Sequence, residues 1–337
     1  MRKILIVSVL SLLFPYSALS APFAYVTNEM DDNVSVIDTA SNTVISTVKT
    51  GDEPRGVGVS PDGKLVYVTN YLGGSVTVIE TSGNTVTATI AVGPGPQCAA
   101  VSPDGKFVYV TNFKSDSVSV IDASDNKVSA SIRVGSGPDG IVVAPDGKFV
   151  YAAAFNDDNV SVIDTSQNKV TASVPVAHKP SGIAASPDGR FLYVTNISSD
   201  VVSVIRTSDN TMIRSFRAGT LPAGVVVSPD GKVLYVANSG SSDVSVIDTF
   251  LYKVTATVPA GPLASGADLT PDGKYLYVAN SGDKTVSVID TAQKKVIATV
   301  NVGNSPLAFG RFITQGSPVM LTPTPGPQAP AIIPSSK

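Results

Sequence analysis

SPDGKLVYVTN, residues 60–70, is written again as SPDGKFVYVTN at 102–112, SPDGRFLYVTN at 186–196 and SPDGKVLYVAN at 228–238. The proline of this phrase stands at Pro61, Pro103, Pro145, Pro187, Pro229 and Pro271, in steps of 42 residues. The tyrosine keeps the same step at Tyr25, Tyr67, Tyr109, Tyr151, Tyr193, Tyr235 and Tyr277. Seven units with no insertion between them require one geometry repeated with the same neighbours each time.

One unit reads as four short strands. In the unit that begins at Pro54, Arg55 to Ser60 are small and β-branched. Pro61-Asp62-Gly63 is a turn, because proline presets φ and glycine supplies a positive φ. Leu65 to Thr69 form a second strand, and Tyr71 to Gly74 a loop. Val76 to Ile79 alternate with period two. Ser82-Gly83-Asn84 make a tight turn, with Asn84 suited to a left-handed conformation, and Thr85 to Val92 form the last strand. Nothing in the unit reads as helix. Four antiparallel strands per unit, seven times over, predict an all-β, seven-bladed β-propeller. A β-helix needs shorter units, and a sandwich does not need identical ones.

The repeat begins at Phe23, on a second strand, and ends with Pro306 to Ile313, a first strand. The C-terminal strand is therefore expected to complete the N-terminal blade. Asp268 and Arg311 replace small or aliphatic residues of other units, and a closing ion pair across this seam is expected between them.

Outside residues 21–313 the composition changes. Met1 to Ser20 combine Arg2 and Lys3, an apolar run from Ile4 to Phe14, and small residues Ala18 and Ser20 before Ala21. This reads as a secretory signal peptide rather than a short membrane anchor. Residues 314–337, with TPTPGPQAPAIIP, read as a proline-rich flexible tail. The mature chain is expected outside the cytoplasm, secreted into the periplasm or to the cell surface. Loss of Arg2 and Lys3 takes the net charge from −3 to −5. A mildly acidic chain with scattered lysines is a poor partner for nucleic acid or anionic lipid. No later run is apolar enough to span a membrane. A single cysteine, Cys98, excludes an internal disulfide.

YVTN at Tyr25–Asn28, Tyr67–Asn70, Tyr109–Asn112 and Tyr193–Asn196, the SPDG turns, and strands such as Val118–Asp122 resemble the YVTN-repeat β-propeller family. The resemblance covers about residues 22–313. The fourth unit departs from it with Tyr151-Ala152-Ala153-Ala154, and the fifth carries Arg206 in place of an acid. It implies secreted, periplasmic or surface-layer proteins of bacteria and archaea. It implies no single activity, since similar propellers occur in lactone hydrolases and beside haem domains of redox enzymes.

Where units agree they specify scaffold, so function is sought where they differ. The seven tyrosines read as packing between blades, and the aspartates and cations of the SPDG turns as solvated turns. Two variable sets share one face. At the start of the inner strand stand Arg55, Gln97, Asp139, Ser181, Ala223, Ser265 and Leu307, expected to ring the mouth of a central channel. Arg55, Gln97 and Asp139 suit a small polar ligand, against the alternative of a water-filled mouth. After the second strand stand Tyr71, Phe113, Phe155 and Ile197, then Ser239 and Ser281. Four large apolar residues on adjacent loops suit a protein or glycan partner, unless they fold inward over the blade tops. On the opposite face Phe250-Leu251-Tyr252 replaces a polar turn.

Catalytic groups are sparse. His178, the one histidine, lies in a loop beside Lys179. With Arg55 and Asp139 it forms the best set for a lactonase-like hydrolase, but no activated nucleophile is identifiable. Met30-Asp31-Asp32-Asn33 and Asn156-Asp157-Asp158-Asn159 are oxygen-rich without the spacing of a known calcium loop. No metal or cofactor is assigned: there is no Cys-x-x-Cys-His, and no tryptophan to stack on a quinone. The first reading is a binding or scaffold propeller of the cell envelope. The alternatives are the hydrolase and an accessory to an envelope redox enzyme.

Overall fold

The computed structural model describes residues 22–315. The expected signal peptide, and the tail beyond Gln315, lie outside the described residues. Seven sheets follow one another along the chain. In the second blade, Pro54–Val59 is innermost, followed outward by Leu65–Asn70, Ser75–Glu80 and Thr85–Ala91, all antiparallel. The next five blades, at 96–133, 138–175, 180–217, 222–259 and 264–301, repeat this order. Among the described residues the helical departures from β structure are two single turns of 3-10 helix, Glu29–Asp31 and Ile197–Ser199. Among the described residues no helix is long and apolar enough to cross a membrane.

Each part of the repeated phrase has its own mechanical task. Gly63 takes φ +71°, as the turn demands. Ser60 Oγ donates to Asp62 Oδ1 at 2.7 Å and accepts from Leu65 N at 2.9 Å, so the turn is fastened from both sides. The Lys64–Asp62 pair is solvated at 3.4 Å and stabilises little. All seven tyrosines are buried, as expected for groups that pack between blades. Two also reach the outer turn of a neighbouring blade: Tyr25 Oη donates to Asn84 Oδ1 at 2.6 Å, and Tyr277 Oη to Asn42 Oδ1 at 2.5 Å. Asn84, at φ +51°, takes the left-handed conformation.

The threonine of the phrase joins blade to blade. Thr69 Oγ1 accepts from Gly56 N of its own blade at 2.8 Å and donates to the Gln97 carbonyl of the next at 3.1 Å. Thr27 reaches the Arg55 carbonyl, Thr111 that of Asp139 and Thr195 that of Ala223, at 2.6–2.9 Å. The asparagine works within the blade. Asn70 Nδ2 donates to Ser75 Oγ and Thr77 Oγ1 at 3.0 Å, while its carbonyl oxygen takes the amide of Gly51. The buried hydroxyl of Thr69 and amide of Asn70 are thus satisfied, whereas the amide oxygens of Asn112 and Asn196 at the same repeat position find no partner.

The ring closes where the sequence places the seam, but with a different register. Strands Phe23–Asn28, Asn33–Asp38 and Thr43–Lys49 form the N-terminal blade. The C-terminal segment bridges the first of them antiparallel at Asn28–Pro306 and Ala24–Ile313. In the next blade the corresponding partners are Asn70–Pro54 and Val66–Val59. The closing segment therefore carries two extra residues between its end bridges. They are accommodated by positive φ at Ala308 (+53°) and Gly310 (+94°), and Phe309–Gly310 turns to pair parallel with Gly56–Val57. Phe312 and Ile313, not Arg311, enter the core.

This slip removes the expected ion pair. Arg311 is exposed and makes no salt bridge among the described residues. Asp268 is buried and closes the seam by itself. Its Oδ2 accepts the amides of Phe312 and Ile313, each at 2.9 Å, and its Oδ1 accepts that of Leu269. Burial raises its pKa, opposed by the charge of Arg311 and by these three amides.

Candidate functional site

The variable residues that begin the inner strands form a polar collar across neighbouring blades. Arg55 is its hub. Its Nε donates to Glu29 Oε1 at 2.8 Å, its Nη1 to Gln97 Oε1 at 3.1 Å, and its Nη2 lies 3.4 Å from Glu53 Oε2. Two blades on, Ser181 Oγ donates to Asp139 Oδ2 at 2.6 Å. Burial raises the pKa of Asp139, against the hydrogen bonds of Ser181 and Gln97 and the charge of Arg55. The scaffold aims the collar: Thr27, Thr69 and Thr111 hold the backbone carbonyls of Arg55, Gln97 and Asp139.

The collar is a packed layer, not the open mouth the sequence suggests. Gln97, Asp139, Ser181, Ala223 and Ser265 are all buried. The reason is the residue that follows most of them. A Cβ on Gly140 would stand 2.1 Å from the Ser181 carbonyl oxygen, and one on Gly182 2.2 Å from that of Ala223. Gly56, Gly224 and Gly266 are as tightly placed. Glycine lets adjacent inner strands touch backbone to backbone here. These glycines recur at one repeat position, and that recurrence is a legible sign of a constricted ring.

Beneath the collar lies a cavity of about 590 Å³. Its wall runs from Asp139, Ser181 and Cys98 past aliphatic residues of the inner strands to the six prolines of the SPDG turns. Arg55 and Gln97 are not part of that wall. The Cys98 thiol is pushed up to about 12 by burial and by the charge of Asp139, so it is a protonated wall residue.

The loop residues after the second strands form the other part of the face. Tyr71, Phe113, Phe155 and Ile197 are all half-buried. They neither fold fully inward nor present a bare apolar patch. Phe113 and Phe155 meet at a centroid distance of 6.1 Å. Cations lie over the rings: Arg55 at 3.5 Å from the Tyr71 centroid, Lys114 Nζ at 4.4 Å from the same ring, and Lys179 Nζ at 4.7 Å from that of Phe155. The row is thus aromatic below and cationic above, with Arg55 belonging to both the row and the collar. Sequence alone does not mark Lys114 or Lys179, because no other unit carries a lysine at either position.

His178 stands apart from the collar. Its side chain is 77% exposed, and Nδ1 lies 2.7 Å from Asp158 Oδ2. The backbone amide of Lys179 and the His178 ring hold the Asp158 carboxyl below its ordinary range. The other aspartates of the two oxygen-rich segments serve loop backbone in the same way. Asp32 accepts from Glu53 N, Asp157 from Ser136 N, and Asp31 from Asn304 N. On the opposite face Phe250 is 87% exposed. Tyr252 there packs on Phe216 at 5.8 Å and under Arg214 at 5.0 Å.

Solved propellers of varied function share this architecture. A chain of hydrazine synthase from Kuenenia stuttgartiensis is 28% identical with a TM-score of 0.70, over 76% of this chain and 88% of that one. A protein of unknown function from Desulfotomaculum acetoxidans is 19% identical with a TM-score of 0.74, over 86% of this chain and 100% of that one. A Bacteroides uniformis protein provisionally named a 6-phosphogluconolactonase is 18% identical with a TM-score of 0.73, over 86% and 99%. The last two likenesses are of fold alone. No curated protein matches the sequence. The repeat, the blade geometry and a match over residues 4–312 agree, and the chain belongs to the YNCE-like beta-propeller family.

Proposed function

We propose that this propeller is a non-catalytic binding module of the cell envelope, and that it engages an envelope protein or glycan through the loop face of Tyr71, Phe113, Phe155 and Ile197. The observation that carries the reading is the row of half-buried aromatics overlaid by Arg55, Lys114 and Lys179. Aromatic and arginine side chains are the groups that dominate recognition surfaces. The overlying cations favour a partner bearing carboxylates or sulfates, with Arg55 the half-buried collar residue that also belongs to this row. Export rests on the residues before Ala21. Its check is the N-terminus of the protein recovered from the envelope, expected to begin at Ala21.

The binding test is a pull-down and a glycan array with the mature protein beside a Tyr71→Ala, Phe113→Ala, Phe155→Ala variant. Wild type is expected to hold a partner that the folded variant loses by about tenfold or more in affinity. A partner held equally by both would remove the loop face from the reading. A second reading, an accessory to an envelope redox enzyme, draws support from the 28% identity to a hydrazine synthase chain. A hydrolase draws less, because His178 is engaged with Asp158 in solvent while Asp139 is buried in the collar.

A further inference from the structure

Among the described residues, the closing segment supplies the one cation on the wall of the central cavity, Arg311, where the other charged side chains are Asp139 and Asp268. The cavity wall is largely aliphatic, with Val59, Val101, Val143, Ala185, Val227 and Leu269 contributed by successive inner strands. Arg311 lines the same cavity. Among the described residues its guanidinium forms no ion pair, and no hydrogen bond fixes it. The nearby carboxyl, Asp268, has both oxygens engaged by backbone amides. Arg311 stands at the repeat position of those six wall residues but has no ladder partner of its own, because the closing segment pairs through Phe309–Gly310 and Ile313 instead.

A space of about 590 Å³ falls within the range of sites for small organic ligands, which are mostly apolar with a few placed polar groups. The packed collar closes one end. The wall at the other end is made by the prolines of the SPDG turns and by Gln315. That face is therefore the route in. The cations of that face, Lys64, Lys106, Lys148, Arg190, Lys232 and Lys274, are exposed beside the aspartates of their own turns, and none of them lines the cavity. The six-residue inner strands give the shaft a length of about 20 Å. An unpaired guanidinium in such a shaft matches a carboxylate carried on an apolar body.

We propose that the central cavity is a binding site for a small amphipathic carboxylate, with the acid on Arg311 and the apolar body between the inner strands. The site is on the face opposite the loop row, so it stands or falls separately from the partner-binding reading.

The test is isothermal titration of the mature protein with octanoate, with octanol and acetate as probes of body and head alone. Octanoate is expected to bind, and octanol and acetate to bind more weakly by about tenfold or more. Arg311→Met, which circular dichroism should show folded, is expected to weaken octanoate by about tenfold, with Arg311→Lys falling between. Ala185→Phe places a ring in the shaft and should abolish binding while leaving the loop face untouched. Absence of octanoate binding to wild type at millimolar concentration overturns the proposal. So does equal binding by wild type, Arg311→Met and Ala185→Phe, which would place the ligand elsewhere.

Discussion

Asp139 shows how a single buried carboxyl is balanced in the collar. Removal from water favours its protonated form, and this outweighs the hydrogen bonds of Ser181 and Gln97 and the charge of Arg55. Its folded pKa therefore lies above the value of about 3.9 that it has in the unfolded chain. The folded state binds the proton more tightly than the unfolded state does. Its stabilising contribution is complete below the unfolded pKa and is lost as pH rises through the folded one. Asparagine has the same shape and no titration. The advantage of Asp139→Asn over wild type in urea unfolding should therefore grow between pH 4 and pH 8. A difference that stays flat across that range would show that Asp139 titrates in the fold as it does in water.

The seam tests what a strand pairing contributes beyond its ladder. Asp268 accepts three backbone amides and makes no salt bridge with Arg311. Asp268→Ala leaves those buried amides without an acceptor, at a cost of about 3 kcal/mol or more. Arg311→Met removes an exposed charge and should change stability by less than about 0.5 kcal/mol. Equal losses in urea unfolding would restore the ion-pair reading. The strands, the SPDG turns and the tyrosine packing were legible because seven copies leave little freedom to each. The slip at the seam was not. Pro306 to Ile313 has the spacing of every other inner strand, but no SPDG turn follows it. Elsewhere that turn fixes where the next strand pairs. Here the apolar Phe312 and Ile313 settle the register by entering the core. The loop face was legible in part. Tyr71, Phe113 and Phe155 stand out because repeats differ there, whereas the cations over them depend on how the loops of different blades lie together.

At the scale of the whole molecule, a propeller is stable because each sheet is covered by two others, and one missing cover exposes two faces. The C-terminal segment supplies that cover to the N-terminal blade. Ala308, Phe312 and Ile313 share a core cluster with Val26, Val57 and Tyr277, residues from both sides of the seam. Loss of a buried phenylalanine alone costs about 3–5 kcal/mol, a large part of the 5–15 kcal/mol that holds a typical domain folded. Deletion from Asn304 onward also leaves the edge of Phe23–Asn28 unpaired beside bare apolar surface. The truncated chain is expected to aggregate on size exclusion and to lose a single cooperative melt. A permutant that carries residues 304–315 ahead of Pro22 through a short glycine-serine linker keeps every contact of the seam. It should remain monomer-sized and melt cooperatively, at a temperature at or below that of the parent. If the truncated chain melted as the full chain does, closure would be incidental, and the blades would have to be stable as an open stack. If neither variant folded, the ring would depend on the order of its ends along the chain and not on the contacts they make.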